Sequence, residues 1–528
     1  MKANRTARRE FLGRVGQGML VAAVGPALAE TLGVSTAYAE SSGASQTLDF
    51  GKLEPLVAAM QETPLDRLQQ MLVGKLQAGE ANLGQLIQAG ALANARSFGG
   101  EDYIGFHTMM ALKPAYAMAQ QLPSDRQALA ILKVLYRNTA QIHDAGGRAE
   151  EKLKAVEPVK LAPELAHDAL LRDAVRAKDW NQAEQIFAAV ARNEGAESAW
   201  NDLLTTVEDG ADVHRIVLAH RSWDTLDLIG MEHAETMLRQ SLRYCLRQEE
   251  RMNERYNYNS MRAALPKLLD QHRLLDRPVG TREGDDSWVD AMSQTIFNST
   301  AEQAADAVAA ALAEGFAPDS IGEAISLATN QLVLRDVGRT EKQVRPGKPE
   351  GSVHGDSIGV HASDSANAWR HIARASEPRH QVASLILAGW QAAHDRVDRG
   401  GDFQEWQPRP DEALLVGLDQ RTPQQLLSEL DAAIRNQDQA QACALMHVYG
   451  SGDHDVRPAL DVMLTHATSQ DGALHAEKYY LTTTNDFAET RPAFRWRHLV
   501  GLARVTASEY GHPAPGYDEA CGLLKVEA

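Results

Sequence analysis

One short pattern occurs four times in the chain and constrains its fold more than any other feature. Each copy has an apolar residue, then a histidine, then a helix-like run, and the four histidines are His107, His214, His361 and His475. Four copies of one unit would place these histidines at equivalent positions, and four imidazoles brought to one place form a metal site. The other interpretation is four unrelated histidines at helix starts, among the eighteen in the chain.

Helical periodicity dominates the rest of the chain. Ala128 to His143 carries Leu129, Leu132, Leu135 and Ile142 on one side, and the Ala-rich run Ala301 to Ala313 has very high helix propensity. The segments Ala174 to Ala183 and Ala433 to Ala442 resemble each other, and each leads into a polar turn and a further helix. We therefore expect an all-α fold of about four related multi-helix units, packed as a solenoid-like or a closed toroidal bundle.

The segments that follow the histidines alternate in character. Copies one and three end in His143-Asp144 and His394-Asp395, whereas copies two and four end in Tyr244-Cys245 and Glu509-Tyr510. This alternation favours duplication of a two-unit half, with an N-terminal half at residues 40–270 and a C-terminal half at 286–515. His143 and His394 then become additional candidate metal ligands.

The first 39 residues have the pattern of an export signal. Arg8 and Arg9 are the paired arginines of a twin-arginine signal, Met19 to Ala29 is too short for a membrane span, and Ala37-Tyr38-Ala39 is a cleavage site. The pattern predicts a mature chain without a membrane span that the twin-arginine export machinery delivers, already folded, to the periplasm or the medium. That route suits a protein that receives a cofactor before export.

Charge and cysteine content exclude several classes of protein. A net charge of −18 argues against nucleic acid or an anionic membrane as a partner. The three cysteines are widely spaced and form no C-x-x-C, which argues against a disulfide framework, an iron–sulfur cluster or covalent haem. The pattern H-E-x-x-H is also absent, so zinc-protease chemistry has no support.

The surroundings of His361 suggest where a substrate would bind. It lies between the Gly-, Pro- and Lys-rich loop from Arg339 to Gly355 and a run of small residues that would leave room for a ligand. We predict that His361 borders a cavity beneath this loop as a catalytic residue, together with Asp364 and with His220. His214 is followed by large apolar residues and is predicted to be an interior ligand or anchor.

Two of the four copies resemble a known family. Gly105-Phe106-His107-Thr108-Met109-Met110 and Val360-His361-Ala362-Ser363-Asp364 are similar to the short histidine-led helices of the questin-oxidase-like proteins. Members of that family are all-α proteins associated with oxidative, Baeyer–Villiger-type cleavage of polyketide rings. The resemblance implies an oxidative enzyme that acts on a small organic substrate.

Two hypotheses of function follow from these observations. The first is an exported metal-dependent oxidoreductase with a histidine-ligated centre between the repeats. Copper and zinc outcompete iron and manganese at such ligands, but they are scarce in the cytoplasm where the chain would fold, so iron is expected ahead of manganese, zinc or copper. The second is a helical-repeat binding or scaffold protein of the periplasm, in which the histidines are structural and hold no metal.

Overall fold

A computed structural model describes residues 47–161, 166–252, 258–398 and 400–527 of the chain. Residues from Thr47 onward form one compact unit. The predicted export signal at residues 1–39 lies outside the described residues. The division at residues 40–270 and 286–515 stays a prediction about internal duplication, because the two halves pack within the same unit.

Helices make up the first part of the unit, with short 3₁₀ turns between some of them. Their bounds, in chain order, are α1 Glu54–Glu62, α2 Leu65–Gln77, α3 Leu83–Phe98, α4 Tyr103–Ala119, α5 Gln127–Asp144, α6 His167–Arg176, α7 Trp180–Asn193, α8 Ala196–Val207, α9 Val213–Asp224, α10 Leu226–Ile229, α11 Ala234–Arg251 and α12 Asn259–Gln271.

The second part is built in the same way. Its helices are α13 Asp286–Asn298, α14 Ala301–Ala313, α15 Pro318–Arg335, α16 Ile358–Arg374, α17 Pro378–Asp398, α18 Pro423–Arg435, α19 Gln439–Ser451, α20 Val456–Ser469, α21 His475–Glu489, α22 Trp496–Glu509 and α23 Tyr517–Leu524.

The prediction of an all-α chain is confirmed for the described residues, which contain isolated β-bridges but no strand. The two helices predicted from Ala128 to His143 and from Ala301 to Ala313 are present as α5 and α14. Within the same ranges, no helix combines the length and the apolar character that a membrane crossing requires.

Local sequence explains where many of the helices begin. The side chains of Asn82, Thr300 and Thr422 each accept a hydrogen bond from a backbone N–H in the first turn. The side chain of a glutamine three residues later accepts one from the backbone N–H of the cap residue. These capping boxes satisfy donors that a helix start would otherwise leave unpaired. The chain therefore specifies these starts locally, before tertiary packing contributes.

The four helices that carry the lead histidines pack on one another in succession. Helix α4 contacts α9, α9 contacts α16, α16 contacts α21, and α21 contacts α4 again. Each of them also packs against the helix before it and against a long helix after it, namely α5, α11, α17 and α22. The first turns of these four helices are thereby held close together in the interior.

Candidate functional site

The four lead histidines meet at one place, and they are called the histidine cluster below. The Nε2 atoms of His107 and His214 are 3.3 Å apart, and those of His361 and His475 are also 3.3 Å apart. Ring centroids are separated by 4.8 Å for His107–His214, 5.7 Å for His214–His361, 5.4 Å for His361–His475 and 5.2 Å for His475–His107. The rings therefore follow one another in the same order as in the sequence.

Every member of the histidine cluster lies in the first turns of its helix. The carboxylates of Asp102 and Asp212 cap α4 and α9, and the hydroxyl of Ser357 caps α16. Helix α21 begins at His475 itself, after Leu474 in the left-handed region of backbone space. The sequence thus positions the imidazoles by ending a loop and starting a helix at nearly the same point in each copy.

Two of the rings have their tautomer fixed by the backbone. The Nδ1 atom of His107 lies 2.7 Å from the carbonyl oxygen of Tyr103, and Nδ1 of His475 lies 3.1 Å from that of Ala473. A carbonyl oxygen only accepts, so each Nδ1 carries the hydrogen and each neutral ring presents a lone pair at Nε2. In His214, Nδ1 lies 3.6 Å from a carboxylate oxygen of Asp212.

The cluster is consistent with a shared metal ion, although it is not a completed coordination sphere. Four nitrogens around an ion at bond lengths of about 2.0–2.1 Å would be separated by about 3.3–3.4 Å in a tetrahedron. Both short Nε2 pairs match that separation. Within the described ranges, however, no group of three or more His, Cys, Asp or Glu side chains is arranged so that it could hold a metal ion. The arrangement is therefore two close imidazole pairs side by side, which one ion would have to draw together.

Burial keeps two imidazoles of the cluster, those of His107 and His475, neutral. It is the largest cause that lowers the pKa of His107 and His475 well below its ordinary value, and the nearby ammonium of Lys478 lowers both further. A neutral imidazole is the form that binds a metal. At neutral pH the rings of His107 and His475 are therefore uncharged.

Lys478 carries the main charged group beside the histidine cluster, and the sequence pattern did not point to it. Burial lowers the pKa of Lys478 to about 8, against the opposing effect of the carboxylates of Asp364 and Glu477. Glu477 itself pairs with Lys133 at 2.5 Å, and both side chains are almost fully buried. Lys478 follows His475 by three residues, so helical spacing places the two on neighbouring positions of one face.

Asp364, a predicted catalytic residue, is buried between α16 and α21. Its Oδ1 accepts a hydrogen bond from the hydroxyl of Thr482 at 2.8 Å. Burial raises the pKa of Asp364, while the charge of Lys478 opposes that rise. The carboxyl group is thus held near the histidine cluster, in surroundings that favour its protonated form more strongly than bulk water does.

His220, the other predicted catalytic residue, lies deeper along α9. Six residues separate it from His214, which corresponds to about 9 Å along the helix axis. Its ring stacks on that of His371 with centroids 5.0 Å apart and 14° between the planes. Burial lowers the pKa of His220 well below its usual value, and its Nε2 has no hydrogen-bond partner among the described residues.

The structure does not place His143 and His394 with the four lead histidines. His143 is partly exposed at the C-terminal end of α5. The ring of His394 stacks on Trp390 at 4.7 Å, and its Nδ1 lies 3.6 Å from Asp395. Burial, the largest single cause, lowers the pKa of His394, but the carboxylate of Asp395 and other nearby carboxylates together raise it above its ordinary value.

The structure does not show the predicted contrast between an open His361 and an interior His214. His361 is only 6% exposed, and the small residues after it on α16 are buried as well. The side chain of His214 retains 14% exposure, and Tyr103, which is 61% exposed, covers that side of the cluster. The small residues allow neighbouring helices to pack closely on α16, so they leave no room for a ligand there.

The loop before α16 closes over the histidine cluster. Gly355 lies so close to His475 that a Cβ atom at this position would be 2.1 Å from the Cβ of His475. The backbone N–H of Gly355 donates to Glu509 at 2.9 Å, and burial raises the pKa of Glu509 to about 7. Arg339 anchors the other end of the loop through both carboxylate oxygens of Asp356.

Comparison with known protein families, with curated proteins and with solved structures finds no match to this chain.

Proposed function

We propose that the chain is an exported metal-dependent oxidoreductase whose metal centre is the histidine cluster. The observation that carries the proposal is the pair of 3.3 Å contacts between Nε2 atoms, with Nδ1 of one ring in each pair engaged by a backbone carbonyl. Two imidazole lone pairs this close repel each other unless a proton or a cation lies between them. A single ion would satisfy all four nitrogens together.

The chemistry of the donors suits a transition metal. Neutral imidazoles bind iron, manganese, zinc and copper, and iron remains the expected metal if loading precedes twin-arginine export. A metal held by these histidines would supply Lewis-acid chemistry or, with dioxygen as the oxidant, redox chemistry for a small organic molecule beside it. The resemblance to questin-oxidase-like proteins adds support for oxidative chemistry, through the motifs around His107 and His361 alone.

Residues of the chain itself would handle protons around this centre. Asp364 is the proposed proton carrier, because burial raises its pKa and Thr482 orients its carboxyl group. His220 is proposed to serve the same purpose from one layer deeper, where its neutral ring has an unused Nε2. Lys478 supplies a positive charge beside His107 and His475 and thereby helps to keep their rings neutral.

A closed ring of four five-helix units would explain why the histidines converge. The proposed units are α1–α5, α6–α9 with α11, α13–α17, and α18–α22, with the histidine helix fourth in each. In all four sets the first helix contacts the third and the fifth, and the second contacts the fifth. The contact of α21 with α4 joins the fourth unit to the first.

Contacts between units support the duplication of a two-unit half. The third helix of the first unit packs on the fifth helix of the second, and the same pairing joins the third unit to the fourth. Both short Nε2 pairs also fall inside these halves, with His107–His214 in one and His361–His475 in the other. One ion would then hold the two halves of the chain together.

Metal analysis of the protein purified from its own compartment tests the proposal. We expect close to one equivalent of a transition metal in the wild type and a loss of most of it in His107→Ala and His361→Ala. His454→Ala is the matched control, because that partly exposed imidazole contacts Tyr449 outside the cluster. A wild-type protein with no transition metal, both as purified and after incubation with Fe²⁺ or Mn²⁺, would refute the metal centre.

The alternative of a periplasmic binding or scaffold protein makes a different geometric prediction. Structural histidines in an open solenoid would lie at separate places along the stack. Neighbouring rings of the cluster are instead 4.8 to 5.7 Å apart. The observed convergence therefore favours the oxidoreductase over the scaffold.

A further inference from the structure

A cavity of about 710 Å³ lies beneath the loop that precedes α16. One wall is formed by residues 336–358, including the start of α16, and the other by residues 400–406. Its volume is in the range that holds small organic ligands, about 300–1,000 Å³. The cavity is separate from the buried interior of the histidine cluster, although the two share the loop.

Basic side chains dominate the lining of this cavity. Arg339, Lys342, Arg345 and Lys348 face two carboxylates, Asp336 and Asp356. Asp356 is already bound by Arg339 and by Lys348 at 2.9 Å, and those two cations hold its pKa well below the ordinary value despite burial. Lys342 and Arg345 are exposed and form no ion pair with any residue that the structure describes. A chain of net charge −18 thus presents two uncompensated cations at this point.

The opposite wall of the cavity is aromatic. Phe403 is buried and Trp406 is partly buried, with ring centroids 4.8 Å apart and an interplanar angle of 58°. Gly401 has a φ of +116°, and a Cβ atom there would lie 2.7 Å from the Trp406 ring. Glycine at this position therefore lets the backbone pass directly against the indole and leaves the aromatic wall in place.

His354 adds a polar group at the base of the cavity. The residue is only 4% exposed, and its Nε2 has no hydrogen-bond partner in the described ranges. Burial, helped by Lys348, lowers the pKa of His354 to about 4, so the ring is neutral at neutral pH. An unpartnered buried nitrogen is costly, and a ligand that accepts a hydrogen bond from it would recover that cost.

We infer that this cavity binds a small organic anion that carries a planar apolar group. Lys342 and Arg345 would attract its anionic end, His354 would donate a hydrogen bond to it, and Trp406 would contact its planar part. Gly355 contacts His475, and Ser357 caps the helix of His361, so a ligand here lies one layer from the histidine cluster. As a substrate class for the oxidoreductase the inference rests on the proposed function, whereas the binding itself does not.

Titration calorimetry on the chelator-treated full-length protein tests the binding. The probes are benzoate, inorganic phosphate and benzyl alcohol, which separate the anionic and the planar requirements. We expect benzoate to bind with one site per chain, more tightly than phosphate, and benzyl alcohol to bind far more weakly. No benzoate binding, or equal affinity for phosphate, would overturn the inference.

Charge-reversal variants locate the site. Lys342→Glu with Arg345→Glu should weaken benzoate binding by at least about fivefold, since both cations act through partly screened solvent. Lys52→Glu with Arg67→Glu is the matched control, because it changes one exposed lysine and one exposed arginine away from the cavity. An equal effect of both double variants would show that only the net charge matters. His354→Phe should weaken binding as well, and unchanged affinity would remove His354 from the site.

The two proposals can fail independently. His107→Ala should lose metal and still bind benzoate with wild-type affinity, because His107 does not line the cavity. A wild type that binds benzoate but no metal would leave the cavity in place and refute the metal centre. Metal binding without benzoate binding would support the metal centre and refute the proposed ligand in the cavity.

Discussion

Replacement of Gly355 by alanine probes the contact between the loop and the histidine cluster. The added Cβ would lie 2.1 Å from the Cβ of His475, 2.8 Å from its Cγ and 3.0 Å from Oε1 of Glu509. Carbon atoms in contact are normally about 3.5–4.0 Å apart, so the loop or His475 must move by more than about 1 Å. The φ of Gly355 is not positive, so alanine adds no backbone strain and the effect is steric.

The size of the effect follows from overpacking and from the geometry of the cluster. Forcing an extra methyl group into a packed interior costs about 1–3 kcal/mol of unfolding free energy. Displacement of His475 also breaks its 3.3 Å contact with His361. Loss of such support for a ligand weakens metal binding by about 10- to 100-fold.

Chemical denaturation of the metal-free protein and competition with a chelator measure the two effects separately. Gly74→Ala in α2 is the control, because no atom lies within 4 Å of the added methyl group. That change should stabilise the protein by about 0.5–1 kcal/mol, since alanine is the better helix former. If Gly355→Ala matches the wild type in both stability and metal affinity, the loop does not press on His475 and the proposed closure is wrong.

Three further changes test the surroundings of the cluster. The pKa values of His107 and His475 are lowered in the folded state, so their contribution to the free energy of unfolding is fully present above about pH 6.5. Below that pH the free energy of unfolding falls by about 1.4 kcal/mol per ring and pH unit. Equal urea midpoints at about pH 7.5 and 5.5 for the metal-free protein would contradict this. Lys133→Met leaves Glu477 buried without its ion-pair partner and should cost about 3–5 kcal/mol in chemical denaturation, most of which Lys133→Met with Glu477→Gln should restore. Tyr103→Ala, at an exposed ring that covers His107, should change stability by less than about 1 kcal/mol but accelerate metal extraction by a chelator; unchanged extraction would show that Tyr103 shields nothing.

Sequence reasoning captured the features that local interactions determine. The helical class and the bounds of helices such as α5 and α14 follow from periodicity and propensity, which act over a few residues. The fourfold histidine pattern also led to the residues that the structure brings together. The pattern alone left open whether the four positions converge, because convergence depends on how the helices pack.

The surroundings of His361 show where such reasoning fails. A run of small residues reads equally well as room for a ligand or as a surface for close helix packing. Along α16 the small residues serve close helix packing. At Gly359, for example, a Cβ atom would lie 2.6 Å from the backbone nitrogen of Val333. The open space lies instead on the other side of the loop, around His354 and Trp406. The Gly-, Pro- and Lys-rich composition did point to the loop as part of a binding site. Which face of the loop lines the cavity, however, depends on tertiary contacts.

Charge balance decides whether this interior could hold a metal ion. Four helix starts converge on the histidine cluster, and their dipoles, together with Lys478, make the position unfavourable for charged imidazolium rings. Carboxylates oppose that field, since Asp212 caps α9 beside His214 and Glu477 lies two residues after His475. Glu509, with a pKa raised to about 7, can hold a proton when the cluster is empty of charge and release it when a cation enters. Four helix N-termini and a buried ammonium favour an anion, so a divalent cation at the histidine cluster would depend on Asp212, Glu509 and the imidazole lone pairs to offset that field.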